Sequence, residues 1–265
     1  MSIFRRNNIN ITGTGAKTML FAHGFGCDQN MWRLIAPAFE DEYRVVLFDH
    51  VGAGKSDSTQ YEHGKYESLQ GYADDLLEII GAVGGTPVVF VGHSVSTMIG
   101  ILAAKKEPES FDRLVLIGPS PCYIDQGNYR GGFSKDDIDS LLESMDSNYF
   151  GWSSNMAPAV MGNPDRPQLA AELNESFCRT DPDIARRFAR VTFLSDNRGD
   201  LAGVALPALV MQCSQDVIAP DYVGEFVQAN LPRGKMITLQ ATGHCPHLSA
   251  PEETIAEMRK YLALA

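Results

Sequence analysis

No apolar run in the 265 residues approaches the roughly 18 needed to cross a bilayer, so a membrane-spanning role is not expected. The opening stretch, Met1-Ser2-Ile3-Phe4-Arg5-Arg6-Asn7-Asn8, contains no apolar core long enough for a secretory signal, and cytoplasm is the expected compartment. Positive charge is scarce. Against 33 Asp and Glu stand 22 Lys and Arg, a formal net charge of −11, which argues against nucleic acid as a partner because phosphate binding needs clustered cations. Cysteine is sparse and unpaired: Cys27, Cys122, Cys178, Cys213 and Cys245 are an odd set without a C-x-x-C, which suits free thiols better than a disulfide framework. No zinc spacing links histidines and cysteines, since His244-x-x-His247 is too close for an i, i+4 pair, so no metal and no cofactor is expected. A phosphate-binding loop is missing too. Gly52-Ala53-Gly54-Lys55-Ser56 has the ending of G-x-x-x-x-G-K-[ST], but Asp49 stands where the first glycine belongs and no buried helix follows.

What remains is an ordinary globular composition, 44% apolar and 21% charged, long enough for one large α/β domain or a domain carrying an insertion. Its most informative stretch is Pro87–Lys106. Pro87-Val88-Val89-Phe90-Val91 is a short unbroken apolar run of the kind that forms a buried parallel strand. Gly92-His93-Ser94-Val95-Ser96 follows, then Thr97–Ala104, small or apolar on every face, as in a helix buried against a sheet. A serine between strand and helix, two residues after a glycine, is the nucleophile-elbow pattern. Ser96 replaces the usual last glycine, where a small residue is wanted for close packing of helix on strand.

The rest of the chain alternates strand and helix. Residues 1–13 predict a β-hairpin turning at Asn7-Asn8. Strands are expected at Thr18–Ala22, Arg44–Phe48, Arg113–Gly118, Ala208–Cys213 and Lys235–Leu239. A helix is expected over Gln29–Phe39 with Met31, Leu34, Ile35 and Ala38 on one face. Another, capped by Ser68, should run to Val83 and bury Tyr72, Leu76, Ile79 and Ile80. Ser249 and Glu252 form a capping box before a helix running to Leu262, with Pro251 in its first turn. Short connections of this kind give a mostly parallel sheet covered on both faces. The exception is 121–201, which has helical periodicity (Ile138, Leu141, Leu142, Met145; Ile184, Phe188, Val191) and no convincing strand. It is read as a helical insertion, a cap, between core segments 1–120 and 202–265, with Phe188 assigned to the insertion's own core.

A serine hydroxyl is a weak nucleophile until a base takes its proton, and the base needs a third group to orient it. With Ser94 on the elbow, the expected chain order is Ser, then Asp or Glu, then His. Only His244 and His247 follow Ser94, and His244 sits at the carboxyl end of the last strand, where catalytic residues of open α/β sheets gather. His247, one turn from the final helix, is expected to pack or cap. Asp216, at the end of the preceding strand, leads as the acid. Asp221 lies at a helix start, where a carboxylate has a structural job, and Asp125, at the mouth of the insertion, is the alternative. An oxyanion needs two fixed N–H donors, expected from the backbones of Phe25 and Val95. His23 and His93 are assigned structural roles.

Several stretches carry a family likeness: His23-Gly24-Phe25-Gly26, Gly92–Ser96, Gly118-Pro119-Ser120-Pro121-Cys122-Tyr123, Gly131-Gly132-Phe133, Asp181-Pro182-Asp183-Ile184-Ala185 and Gly243-His244-Cys245-Pro246-His247. Over essentially its whole length the chain resembles the α/β-hydrolase superfamily. Within it the chain looks most like the bacterial RsbQ-type stress-signalling hydrolases and the plant karrikin and strigolactone receptor hydrolases. The Ser96 departure is similar to what the plant receptors carry. The resemblance implies a mostly parallel eight-stranded sheet and a V-shaped four-helix cap. It also implies an apolar pocket over Ser94 lined by Phe25, Phe133, Trp152, Phe177 and Phe193, with Met156 where the family often has another aromatic. It implies a hydrolase of small apolar esters or lactones that doubles as a signal sensor, acting in the RsbQ branch with a partner phosphatase that carries a sensory domain, upstream of a general stress sigma factor. Alternatives are a ligand-gated sensor with slow turnover and a plain carboxylesterase or perhydrolase, or a C–C-cleaving relative. Haloalkane dehalogenases and epoxide hydrolases use an aspartate at the elbow and are disfavoured.

Overall fold

Apolar runs too short for helices and too uniformly apolar for one-sided strands dictate the centre of this molecule. In its structure, a computed structural model describing residues 2–263, they form a parallel sheet buried on both faces. The strands are β1 (Asn10–Thr12), β2 (Lys17–Ala22), β3 (Tyr43–Leu47), β4 (Val88–His93), β5 (Phe111–Ile117), β6 (Ala208–Gln215) and β7 (Gly234–Thr242), in spatial order β1-β3-β2-β4-β5-β6-β7. Only β1 runs antiparallel to its neighbour.

The helices are α1 (Ile3–Arg6), α2 (Leu69–Val83), α3 (Val95–Lys106), α4 (Lys135–Ser147), α5 (Tyr149–Met161), α6 (Pro167–Arg179), α7 (Pro182–Phe193), α8 (Asp221–Asn230), α9 (Pro246–Ser249) and α10 (Pro251–Leu262). On one side of the sheet α2, α3 and α8 bury Leu76, Ile79, Ile99 and Val227. On the other, Trp32, Phe39, Met258 and Tyr261 pack against Phe21, Val91 and Met211. Between β5 and β6 the chain leaves the sheet to form α4–α7, joined by a third cluster around Ile138, Leu142, Trp152 and Phe177.

Four expectations change. The sheet has seven strands among the described residues, not eight, because Ile3–Arg6 forms a helical turn where the first arm of a hairpin was expected. Asn8 does turn the chain, with φ of 46°, but into β1 directly. Gln29–Phe39 is two 3-10 turns, Gln29–Trp32 and Ala36–Phe39, with Pro37 in the second, and Leu34 is 42% exposed rather than on a buried face. The Ser249–Glu252 capping box does not form: Ala250 occupies the N-cap of α10, and Ser249 Oγ is without a hydrogen-bond partner. Ser68 sits at the N-cap of α2 without a side-chain hydrogen bond.

Phe188 also belongs elsewhere. Its ring stacks on Tyr72 of α2 at 4.4 Å and joins the main core, not a separate core of the helical segment. Burying a phenylalanine contributes about 1.5–3 kcal/mol, so this one ring fastens α7 to the sheet layer.

Candidate active site

The register of the sheet assembles the site. Parallel pairing of Ala22 with Gly92 puts the loop after β2 beside the turn after β4. That turn is sharp. Ser94 has φ 55° and ψ −124°, a region ordinary residues avoid, and its amide donates to the Ile117 carbonyl of β5 at 2.9 Å. Gly92 is required there because a Cβ would lie 2.9 Å from the Ser96 carbonyl oxygen and 2.7 Å from the Phe90 ring. Ser96 itself is fully buried. Its hydroxyl donates to the His23 carbonyl and accepts from His50 Nε2 at 2.8 Å, tying α3 to the loops after β2 and β3.

His244 follows β7 and Asp216 follows β6. His244 Nε2 lies 2.8 Å from Ser94 Oγ, and His244 Nδ1 lies 2.6 Å from Asp216 Oδ2. Asp216 is fixed from behind, Oδ1 accepting from the amides of Ile218 at 2.8 Å and Ala219 at 3.1 Å. A carboxylate so held accepts a hydrogen bond from Nδ1–H, which leaves Nε2 with a free lone pair facing the serine hydroxyl. All three side chains are buried.

The backbone of the His244 loop is joined to the helical segment as well as to the sheet. The His244 amide donates to the Val160 carbonyl in α5 at 2.8 Å, and the Gly243 amide to Gln215 at 2.7 Å. Asn163 Nδ2 reaches the carbonyls of Met161 at 2.6 Å and Thr242 at 3.0 Å.

The other expected positions divide clearly. Val95 is the first residue of α3, where an amide has no intrahelical acceptor, and among the described residues neither it nor the Phe25 amide donates a hydrogen bond within the protein. Asp125 is away from His244, accepting from the amides of Gly131 at 2.7 Å and Gly132 at 3.0 Å to close a loop. Asp221 opens α8 and accepts from the Tyr222 amide. His23 bridges loops, its Nδ1 2.9 Å from the Gly24 carbonyl and its Nε2 accepting from the His50 amide at 3.1 Å. Burial keeps both His23 and His50 below the ordinary imidazole range, His50 strongly so. In the Gly52–Ser56 loop, the Asp49 carboxylate accepts from the Lys55 amide at 2.9 Å and from Asn8 Nδ2 at 2.7 Å, so an acid fills the turn where a phosphate would sit.

Above Ser94 lies a cavity of about 40 Å³, lined by Phe25, Trp152, Met156, Phe177 and Phe193. Phe133 is not among its walls. It is held at the entrance to the helical segment, its amide donating to the Tyr123 carbonyl at 3.1 Å, and Tyr123 takes the wall position instead. Sequence reasoning also missed Cys27, Val160, Leu173, Thr192, Ile218 and Cys245 as lining residues. Three of these are sequence neighbours of residues already singled out, Cys27 after Gly26, Thr192 before Phe193 and Cys245 after His244. Burial pushes the Tyr123 phenol up, with hydrogen bonding to Ser94 working in the opposite direction. Phe25 is the hub of the aromatic wall, its ring 6.2 Å from Trp152, 6.1 Å from Phe177, 5.8 Å from Phe188 and 6.1 Å from Phe193. Gly26, at φ +68°, lets Phe177 close over this loop, since a Cβ would come within 2.2 Å of that ring.

Residues 19–257 match the model of the alpha/beta hydrolase family. The chain is 38% identical over 262 residues to strigolactone esterase D14 of Arabidopsis thaliana, covering 98% of each chain. It is 36% identical to karrikin insensitive 2 receptor CA of Petunia hybrida, covering 97% of this chain and 95% of the relative. Among solved structures, a hydrolase from Oleispira antarctica superposes with a TM-score of 0.97 at 41% identity, covering 100% of this chain and 97% of the other.

Proposed function

Because the chain belongs to the α/β-hydrolase family, we propose that it is a serine hydrolase cleaving small apolar esters or lactones through Ser94, His244 and Asp216. The observation that carries this reading is the chain of contacts from Ser94 Oγ through His244 to Asp216, at 2.8 and 2.6 Å, on the floor of an apolar cavity. Ser94 Oγ attacks the carbonyl carbon while His244 Nε2 takes its proton. Asp216 holds the imidazole by Nδ1–H and stabilises the imidazolium that forms. The amides of Phe25 and Val95 receive the oxyanion. Collapse expels the alcohol, which leaves with the proton from His244, and water releases the acyl group by the reverse sequence.

The walls support a small, mostly apolar substrate with oxygen acceptors. Trp152 Nε1 and Thr192 Oγ1 belong to lining residues and are buried without partners, so an ester or lactone oxygen would satisfy a donor the protein leaves unpaired. About 40 Å³ accommodates one or two waters, far below a drug-sized pocket, so larger substrates require α5–α7 to give way, and 121–201 acts in this reading as a mobile cap.

Relatives named as an esterase and as a receptor support a signalling role for that hydrolysis. We place the chain with the RsbQ-type regulators, whose partner would be a phosphatase with a sensory domain; a sensor with slow turnover is the second reading. Ser94→Ala should lower p-nitrophenyl acetate hydrolysis by several orders of magnitude, and a serine-directed phosphonate should add mass at Ser94 alone. Retained activity in the variant would sink the assignment. Ligand-dependent protection of 121–201 from proteolysis, together with slow turnover, would favour the sensor.

A further inference from the structure

The absence of local zinc spacing leaves out what folding brings together. His93 ends β4, while Cys245 caps α9 and His247 lies in it, 152 and 154 positions on, and one ligand atom from each lies within 4.8 Å of the others. The three residues are 2%, 1% and 0% exposed. His93 Nε2 donates to the His244 carbonyl at 2.8 Å, and Nδ1, which packs against Gly24, has no hydrogen-bond partner. Neither ring nitrogen of His247 has a partner, although the ring is enclosed, 4.4 Å from His93 and 4.8 Å from Trp32. Three orphaned buried polar atoms in one cluster are uncommon in a folded interior.

We propose that His93, Cys245 and His247 form a binding site for a soft monovalent metal ion, Cu⁺ by preference. A thiolate and two neutral imidazoles are a soft donor set. Charge selects within that class. Burial keeps the Cys245 thiol protonated in the empty cluster. Once binding displaces that proton the cluster supplies one negative charge, so Cu⁺ gives a neutral buried complex, whereas Zn²⁺ would leave a net positive charge out of water, which is costly. Ligands around one such ion stand about 3.3–3.8 Å apart, so the cluster must contract by roughly an ångström from its present spread. Binding forms one Cu–S bond and two Cu–N bonds, and the Cys245 thiol proton goes to solvent. The route in is the cavity above Ser94, whose walls include both His93 and Cys245. Because Cys245 adjoins His244 and His93 holds the His244 carbonyl, occupancy would pull on the base and inhibit hydrolysis, an effect additional to the proposed function and dependent on it; binding is not.

The test is an anaerobic titration of the full chain with Cu⁺ in competition with bicinchoninate, on a Cys178→Ser background to remove the half-exposed thiol. The expected result is one tightly held equivalent, lost in Cys245→Ala and in His247→Gln but kept in Cys27→Ala. Circular dichroism confirms that each variant is folded, and Cys245→Ser is the second choice if Cys245→Ala is not. Hydrolysis of p-nitrophenyl acetate should fall about tenfold or more with that equivalent and recover when chelator removes it. An equivalent that survives in folded Cys245→Ala, no binding at all, or binding of Zn²⁺ in preference to Cu⁺ would overturn the proposal. Binding without inhibition would overturn only the coupling to His244.

Discussion

Ser96→Ala removes a single oxygen that joins α3 to two loops. Its hydroxyl receives the His50 Nε2–H and donates to the His23 carbonyl, two residues before the Phe25 amide assigned to the oxyanion. Alanine leaves the buried His50 N–H without an acceptor, at a cost of about 1–3 kcal/mol. In a chain of this size about 2 kcal/mol lowers Tm by roughly 4–8 °C. The kinetic consequence is separate. Loss of one oxyanion donor costs about 10²–10³ in kcat, and a donor displaced but present should cost part of that, about tenfold to a hundredfold. KM should change little, because Ser96 does not line the cavity. The assay is steady-state hydrolysis of p-nitrophenyl acetate beside a thermal melt, with Ser96→Thr, which keeps the hydroxyl, as the rescue. A variant that melts lower but turns over at the wild-type kcat would refute the link from Ser96 through His23 to Phe25.

Asp216→Asn should lower kcat by roughly 10⁴, with the folded baseline intact, since the amide favours the wrong His244 tautomer; pre-steady-state acylation measures it. Met156→Ala enlarges the cavity from a half-buried position, so the ratio of kcat/KM for butyrate over acetate esters should rise about tenfold, read from a p-nitrophenyl ester series. His50 is buried neutral with its pKa well below the ordinary imidazole value, so on acidification the unfolded chain takes a proton that the folded chain refuses. Its contribution is intact above about pH 6.5 and is lost below it, by about 1.4 kcal/mol per pH unit. Urea melts between pH 7 and 5 should show a shallower pH slope for His50→Gln than for the parent; equal slopes would contradict this assignment.

Legibility in the sequence followed the range of the forces involved. The strands of the parallel sheet were readable because burial on both faces writes itself as consecutive apolar residues, as at Val88–Val91 and Leu114–Ile117. The positions of Ser94, Asp216 and His244 were readable because strand ends converge on one edge of such a sheet, and the structure brings those three side chains into contact. Residues 29–39 were misread because Pro37 breaks a periodicity that otherwise fits a helix. The cavity wall was the least legible part. Phe133 and Tyr123 are both aromatic and lie ten residues apart, and only the loop pinned by Asp125 decides which faces Ser94. Phe188 has the same helical spacing whether it faces its own segment or Tyr72, so periodicity could not assign it.

The hydrogen bond from the His244 amide to the Val160 carbonyl gives α5 two duties. It roofs the cavity, and it is also the backbone anchor of the residue that would move protons beneath that roof. In the proposed reaction, displacing this end of α5 to admit a bulky molecule would loosen the backbone that carries His244 until the helix returned. Occupancy and reactivity would then be successive states of one backbone contact, their order set by α5.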